Sequence, residues 1–132
     1  MLVLSTIIVV YRLSKTNDEG LELSQKIFDI VFKDLDFSLR ELGAGDVSVA
    51  TNMKKLISSY MGRQKSYIKS FKNDDKKSLA SAFEKNIYRN NEQQKSLILS
   101  LSKNILKINK NFDLVDDKKI LNCDFELSID FL

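Results

Sequence analysis

Leu39-Arg40-Glu41-Leu42-Gly43-Ala44-Gly45-Asp46 is the stretch on which the reading of this chain turns. It holds two of the four glycines in a sequence of 132 residues without proline, and it falls where one helical pattern stops and another begins. Leu39 and Leu42 finish an apolar stripe, and Gly43 stands where a helix end in the left-handed region favours a residue without a Cβ. Gly45 would allow a second unusual backbone conformation, and Asp46 could accept hydrogen bonds from free amides in the turn or at the next helix start. The stretch predicts a helix–turn–helix corner. It is either purely structural or a charged edge of Arg40, Glu41 and Asp46 offered to a partner.

Upstream of the corner, a helix is expected from about Asp18 to Leu42, because Leu21, Phe28, Val31, Leu35, Leu39 and Leu42 recur at helical steps. Ile27, Ile30 and Phe32 widen that face until it nearly circles the helix, which predicts cover on two sides. The apolar run Leu2–Tyr11 before it reads as a buried helix, with a buried strand as the alternative because of its β-branched content. At about ten residues the run falls well short of the ~20 that span a membrane. With no basic segment before it and no clean cleavage site after it, no signal peptide is expected. The abrupt start on core-type residues suggests that a preceding segment is missing.

Downstream, Val49, Met53, Leu56, Ile57, Tyr60, Tyr67, Ile68 and Phe71 keep the helical period from about Val49 to Lys72, with Gly62 inside it as a site of close packing. Asp74 or Asp75 can cap a fourth helix running to about Asn90, with Leu79, Ala82, Phe83 and Ile87 buried. A fifth from about Glu92 to Lys110 presents Leu97, Leu101, Ile105 and Ile108, with Ile98 beside them. In the tail, odd positions from Leu121 to Phe131 are apolar and even positions polar, which predicts an extended, strand-like segment within 111–132. Cys123 falls on its apolar face and reads as a buried, inert thiol. The expected fold is all-α, a single-domain helical bundle of about five helices over residues 1–132 with that tail.

Composition narrows function by exclusion. There is no histidine and one cysteine, which removes imidazole catalysis, most metal sites and any internal disulfide, and fits a reducing compartment. No phosphate-binding loop, nucleophile elbow or paired metal spacing is present, and the acidic residues are scattered, so no catalytic residue and no cofactor are assigned. The net charge of +3 conceals an asymmetry: residues 1–46 sum to −3, residues 47–110 to +10 and residues 111–132 to −4. A middle this basic either faces an anionic partner or is a solvated lysine surface. Lys54, Lys55, Arg63, Lys65, Lys69 and Lys72 form the candidate basic face. From the residues alone, the protein is a non-enzymatic helical domain, and an RNA-, ribosome- or membrane-surface-binding module is one reading of it.

The ordered set LRELGAGDVSV (Leu39–Val49), MKK (Met53–Lys55), YMGR (Tyr60–Arg63), Tyr67 and KNIY (Lys85–Tyr88) resembles the ubiquinol–cytochrome c chaperone family, assembly factors for cytochrome b of respiratory complex III. The motif positions are Tyr60, Gly62, Arg63, Tyr67, Asn86 and Tyr88, beside Arg40, Glu41, Gly43, Gly45 and Asp46 of the corner. Met61 stands where the family has the tyrosine of YGR, and Ala50 where proline is common. The resemblance covers roughly residues 2–90, and family members usually carry a further segment before the first apolar helix. It implies a helical chaperone with cytochrome b as client, possible contacts with a small co-chaperone, the ribosome and the inner membrane, and no small-molecule substrate. It implies a place in the bacterial cytoplasm at the inner membrane, or on the matrix side of the mitochondrial inner membrane.

Overall fold

A computed structural model describes residues 1–89 and 94–126, and every regular element among them is helical. The helices are α1 (Leu2–Ser14), α2 (Asp18–Glu41), α3 (Asp46–Asn73), α4 (Lys76–Asn86), α5 (Lys95–Leu114) and α6 (Asp117–Leu121). The all-α reading is correct, with one short helix more than expected. The chain gathers into two compact units, Met1–Gly62 and Arg63–Leu132.

In the first unit, α1 and α2 pack on each other. Helix wins over strand in α1 because Leu4, Ile7, Ile8, Val10, Tyr11 and Leu13 bury nearly all round the axis, and the Thr6 hydroxyl satisfies itself by donating to the Leu2 carbonyl at 2.8 Å. The turn into α2 is tight. The Thr16 hydroxyl donates to the Leu13 carbonyl at 2.7 Å, and Asn17 caps α2 by accepting from the Gly20 amide at 3.0 Å. Gly20 is buried there, and a Cβ on it would lie 2.6 Å from the Leu13 carbonyl oxygen and 1.7 Å from Thr16 Oγ1. Further along α2, Phe28 and Phe32 meet Tyr60 of α3 edge-on, at 5.2 and 5.4 Å between ring centroids.

The expectation that α2 is covered on two sides fails. Only Gly20, Ser24 and Phe32 are fully buried, while Leu21, Ile30 and Phe37 stand exposed. Gly62 also differs from its reading. It is exposed, with nothing within 4 Å of the position a Cβ would take, so it mediates no close packing.

In the second unit, α4 and α5 pack together over a core of Tyr67, Phe71, Leu79, Phe83, Ile98, Ile105, Leu106, Phe112 and Ile120. Asp75 caps α4 by accepting from the Ser78 amide at 3.0 Å, as its position suggested. Helix α4 stops at Asn86 rather than near Asn90, and Arg89 takes a left-handed φ of 49°. The buried stripe of α5 is Ile98, Ser102, Ile105, Leu106, Asn109 and Phe112; Leu97 is exposed. Two polar residues lie in that stripe, so counting apolar positions set the face one residue off. Ser102 is accommodated because its hydroxyl donates to the Ile98 carbonyl at 2.7 Å.

The tail departs most from expectation. Residues 111–114 close α5, Leu121 ends α6, and Cys123 adopts a left-handed φ of 55° with its thiol exposed. Asp116 caps α6 through the Lys118 amide at 2.9 Å, and Phe125 rests on Phe112 at 5.2 Å. The alternation is overridden by this cap and turn, so no strand occurs among the described residues. The rest of the predicted strand, 127–131, lies outside them.

Candidate functional site

The corner is built by its backbone. Leu42 closes α2, Gly43 takes φ 87°, the Gly43 amide donates to the Arg40 carbonyl at 3.0 Å and the Ala44 amide to the Leu39 carbonyl at 3.2 Å. These are the paired bonds of a Schellman motif, and they need a left-handed residue at position 43. Gly45 does not take a second left-handed conformation; its carbonyl accepts from the Val49 amide at 2.9 Å and so begins α3. The Asp46 carboxylate accepts from the Arg40 guanidinium, which also donates to Asp36 at 2.8 Å. The hydrogen bond to Asp36, then that to Asp46, holds the guanidinium above its ordinary pKa. Beside these charges and the exposed Glu41, Leu42 is 85% and Val47 83% exposed. The corner is thus a hydrogen-bonded turn with an exposed ion-paired edge, carrying two bare aliphatic side chains.

The basic face divides. Lys54, Lys55, Lys65, Lys69 and Lys72 stand toward solvent, and Lys54 and Lys55 flank a shallow depression floored by Ser58 and Ser59. Arg63 does not belong with them. It is half-buried, and its Nε is enclosed without a hydrogen-bond partner among the described residues. Helical spacing explains this, since Arg63 and Tyr67 are one turn apart.

The structure brings three motif residues together. Tyr67 is buried edge-on against Phe83 at 5.1 Å, the Asn86 side chain hydrogen-bonds to the Tyr67 phenol, and the Arg63 charge lies near it. Burial pushes the Tyr67 phenol above its usual pKa, while Arg63 and Asn86 pull the other way. Tyr88 is half-buried and Gly62 exposed, and neither joins this group by any described bond. Tyr60 is buried in the Phe28–Phe32 cluster, and its hydroxyl has no hydrogen-bond partner among the described residues. Its phenol pKa is raised by burial.

Removing that orphaned hydroxyl with Tyr60→Phe is expected to stabilise the protein by about 1 kcal/mol in urea unfolding at neutral pH. It should also soften alkaline unfolding. Below pH ~10 the phenol is protonated in both folded and unfolded chains; above it the unfolded chain loses the proton first, and stability falls by up to about 1.4 kcal/mol per pH unit per tyrosine. An unchanged alkaline slope in the variant would show that Tyr60 is not the residue responsible.

Sequence reasoning missed a second lysine cluster, Lys103, Lys107 and Lys110 on α5, which with Lys76 lines a groove in the second unit. Its signal is the spacing of four and three residues, which lies outside the motif-bearing part of the chain. No group of three or more histidine, cysteine or acidic side chains able to hold a metal ion occurs among the described residues. No helix among them is long and apolar enough to cross a membrane.

The chain is similar to known proteins in sequence and in fold. Residues 1–127 match the protein family described as Ubiquinol-cytochrome C chaperone. Among solved structures, the crystal structure of the Cbp3 homolog from Brucella abortus is similar, at 31% sequence identity and a TM-score of 0.85, over 96% of this chain and 70% of that one. Curated proteins give no significant match.

Proposed function

Since the chain belongs to the ubiquinol-cytochrome c chaperone family, we propose that it binds newly synthesised cytochrome b and holds it for assembly into respiratory complex III. The observation that carries this reading is the family match across nearly the whole chain, joined to the helical likeness to a Cbp3 homolog. The role is that of a non-enzymatic binder. Exposed Ile30 and Phe37 on α2, with Leu42 and Val47 at the corner, supply apolar contacts of the kind an unassembled membrane protein needs covered. Such a client would be met at the inner membrane, on the cytoplasmic side in a bacterium or the matrix side in a mitochondrion. A small co-chaperone and the ribosome are the further partners this reading allows.

Tagged full-length protein isolated from native membranes should retain cytochrome b, and deletion of its gene should lower the cytochrome b difference spectrum while respiratory complexes lacking that subunit persist. An unchanged spectrum would refute the reading. Within it, Arg40, Glu41 and Asp46 are the proposed contact edge, on a turn that the left-handed Gly43 makes and that Gly45 leads into α3. Arg40→Ala and Asp46→Ala are each expected to reduce cytochrome b retention about fivefold or more, as truncation of an interface anchor does. The thermal midpoint should stay near the parent's, because exposed ion pairs contribute little to folding. Retention that falls only in step with the midpoint would make the corner structural.

A further inference from the structure

We propose that the α4–α5 side of the second unit is a docking face for an anionic lipid bilayer, naming a surface for the membrane contact that the proposed function allows and resting on it only for that location. On α5, Leu99, Lys103, Lys107, Lys110 and Leu114 follow one another at steps of four, four, three and four residues, which places all five along one side of the helix. That side adjoins the buried stripe without being part of it: Leu99 is 44% and Leu114 84% exposed, and the lysines between them are outside the core. Lys76 at the start of α4 joins Lys103, Lys107 and Lys110 around a groove with Leu106 at its base. Asp74 is the acidic residue of this groove, and it pairs with Lys110 at 2.5 Å. Four lysines and one carboxylate line the groove, a net positive lining in which Lys107 as well as Lys110 is engaged by a partner of its own.

The composition of the face selects its occupant. Lysines flanked by bare leucines suit a headgroup layer, where ammonium groups meet phosphate and the leucines enter the acyl boundary. Bases of a single-stranded nucleic acid would want aromatic or guanidinium planes to stack on, and the groove is lined by neither. A free phosphate would give the exposed leucines no role.

The test is flotation of the purified full-length chain with vesicles of phosphatidylcholine alone or mixed with phosphatidylglycerol. Binding is expected only to the mixed vesicles and should weaken as salt is raised. A surface lysine contributes about fivefold to such binding, so Lys103→Gln with Lys107→Gln should weaken it about fivefold or more. Leu114→Ser should cause a further loss, and Lys26→Gln with Lys33→Gln on α2 should leave binding near the parent's. Circular dichroism of each variant establishes that it is folded. Equal flotation with neutral vesicles, or full retention by the α5 double variant, overturns the proposal. So does RNA binding that the α5 double variant abolishes while vesicle binding survives. Vesicle binding needs no client, so this experiment can fail while cytochrome b retention stands, and the reverse.

Discussion

Phe83→Ala is expected to lower the unfolding free energy by about 3–5 kcal/mol, a large part of the roughly 5–15 kcal/mol that holds a domain folded. Phe83 is fully enclosed, and its ring meets Tyr67 edge-on at 5.1 Å. Leu79 of α4 and Ile98, Ile105 and Leu106 of α5 are buried in the same unit, so the ring belongs to a closed apolar core. Loss of the ring removes apolar burial and the aromatic pair, and leaves a cavity that close-packed neighbours close only in part. The cost should appear as a shift of the urea midpoint with little change in its slope. Because Asn86 reaches the Tyr67 phenol from the end of α4, the variant should also change the near-ultraviolet tyrosine signal. A loss below about 1 kcal/mol would mean that the unit is held elsewhere.

Gly20→Ala is the second. The added methyl would lie 2.6 Å from the Leu13 carbonyl oxygen, a backbone atom that moves only if the end of α1 moves. It would also meet Thr16 Oγ1, which can rotate away only by giving up its bond to that same carbonyl. Overpacking of this kind costs about 1–3 kcal/mol, and the backbone contact puts Gly20 at the upper end. Gly62→Ala should do the opposite. Mid-helix, exposed and with open space around it, it should gain about 0.5–1 kcal/mol from the better helix propensity of alanine. The two variants measured side by side by chemical unfolding separate the roles, and stabilisation of both would remove the tight turn as an explanation for Gly20.

That pair also marks where the sequence was legible. Gly43 could be read because its role is local: a helix stripe ends, and the next residue must turn left-handed. Gly20 could not, since its reason is a carbonyl seven residues earlier, brought near by a turn whose geometry no periodicity encodes. The same distinction holds for the basic residues. The solvent-facing positions of Lys65, Lys69 and Lys72 follow from helical spacing, whereas Arg63, one turn from Tyr67, is drawn toward the buried side by its neighbour. On α5 the apolar count favoured Leu97, yet burial chose a stripe containing Ser102 and Asn109, whose polarity hid it. Over the described part of the tail, Leu121 to Glu126, the alternation gave way to a capped helix end and turn, because a strand pattern needs a partner strand to pair with. The all-α class, the corner and the family resemblance were therefore visible, while the short sixth helix and the registers that decide which side chains meet were not.

The Schellman turn and the Asp36–Arg40–Asp46 bridge fix the corner before anything touches it. Most loops that bind partners lose rotational freedom on contact, and that loss subtracts from affinity. Here the freedom has already been lost in folding. On the proposal that a partner docks at the corner, association should behave as docking of a preformed surface, with affinity differences between variants residing in how long the complex lasts rather than in how fast it forms.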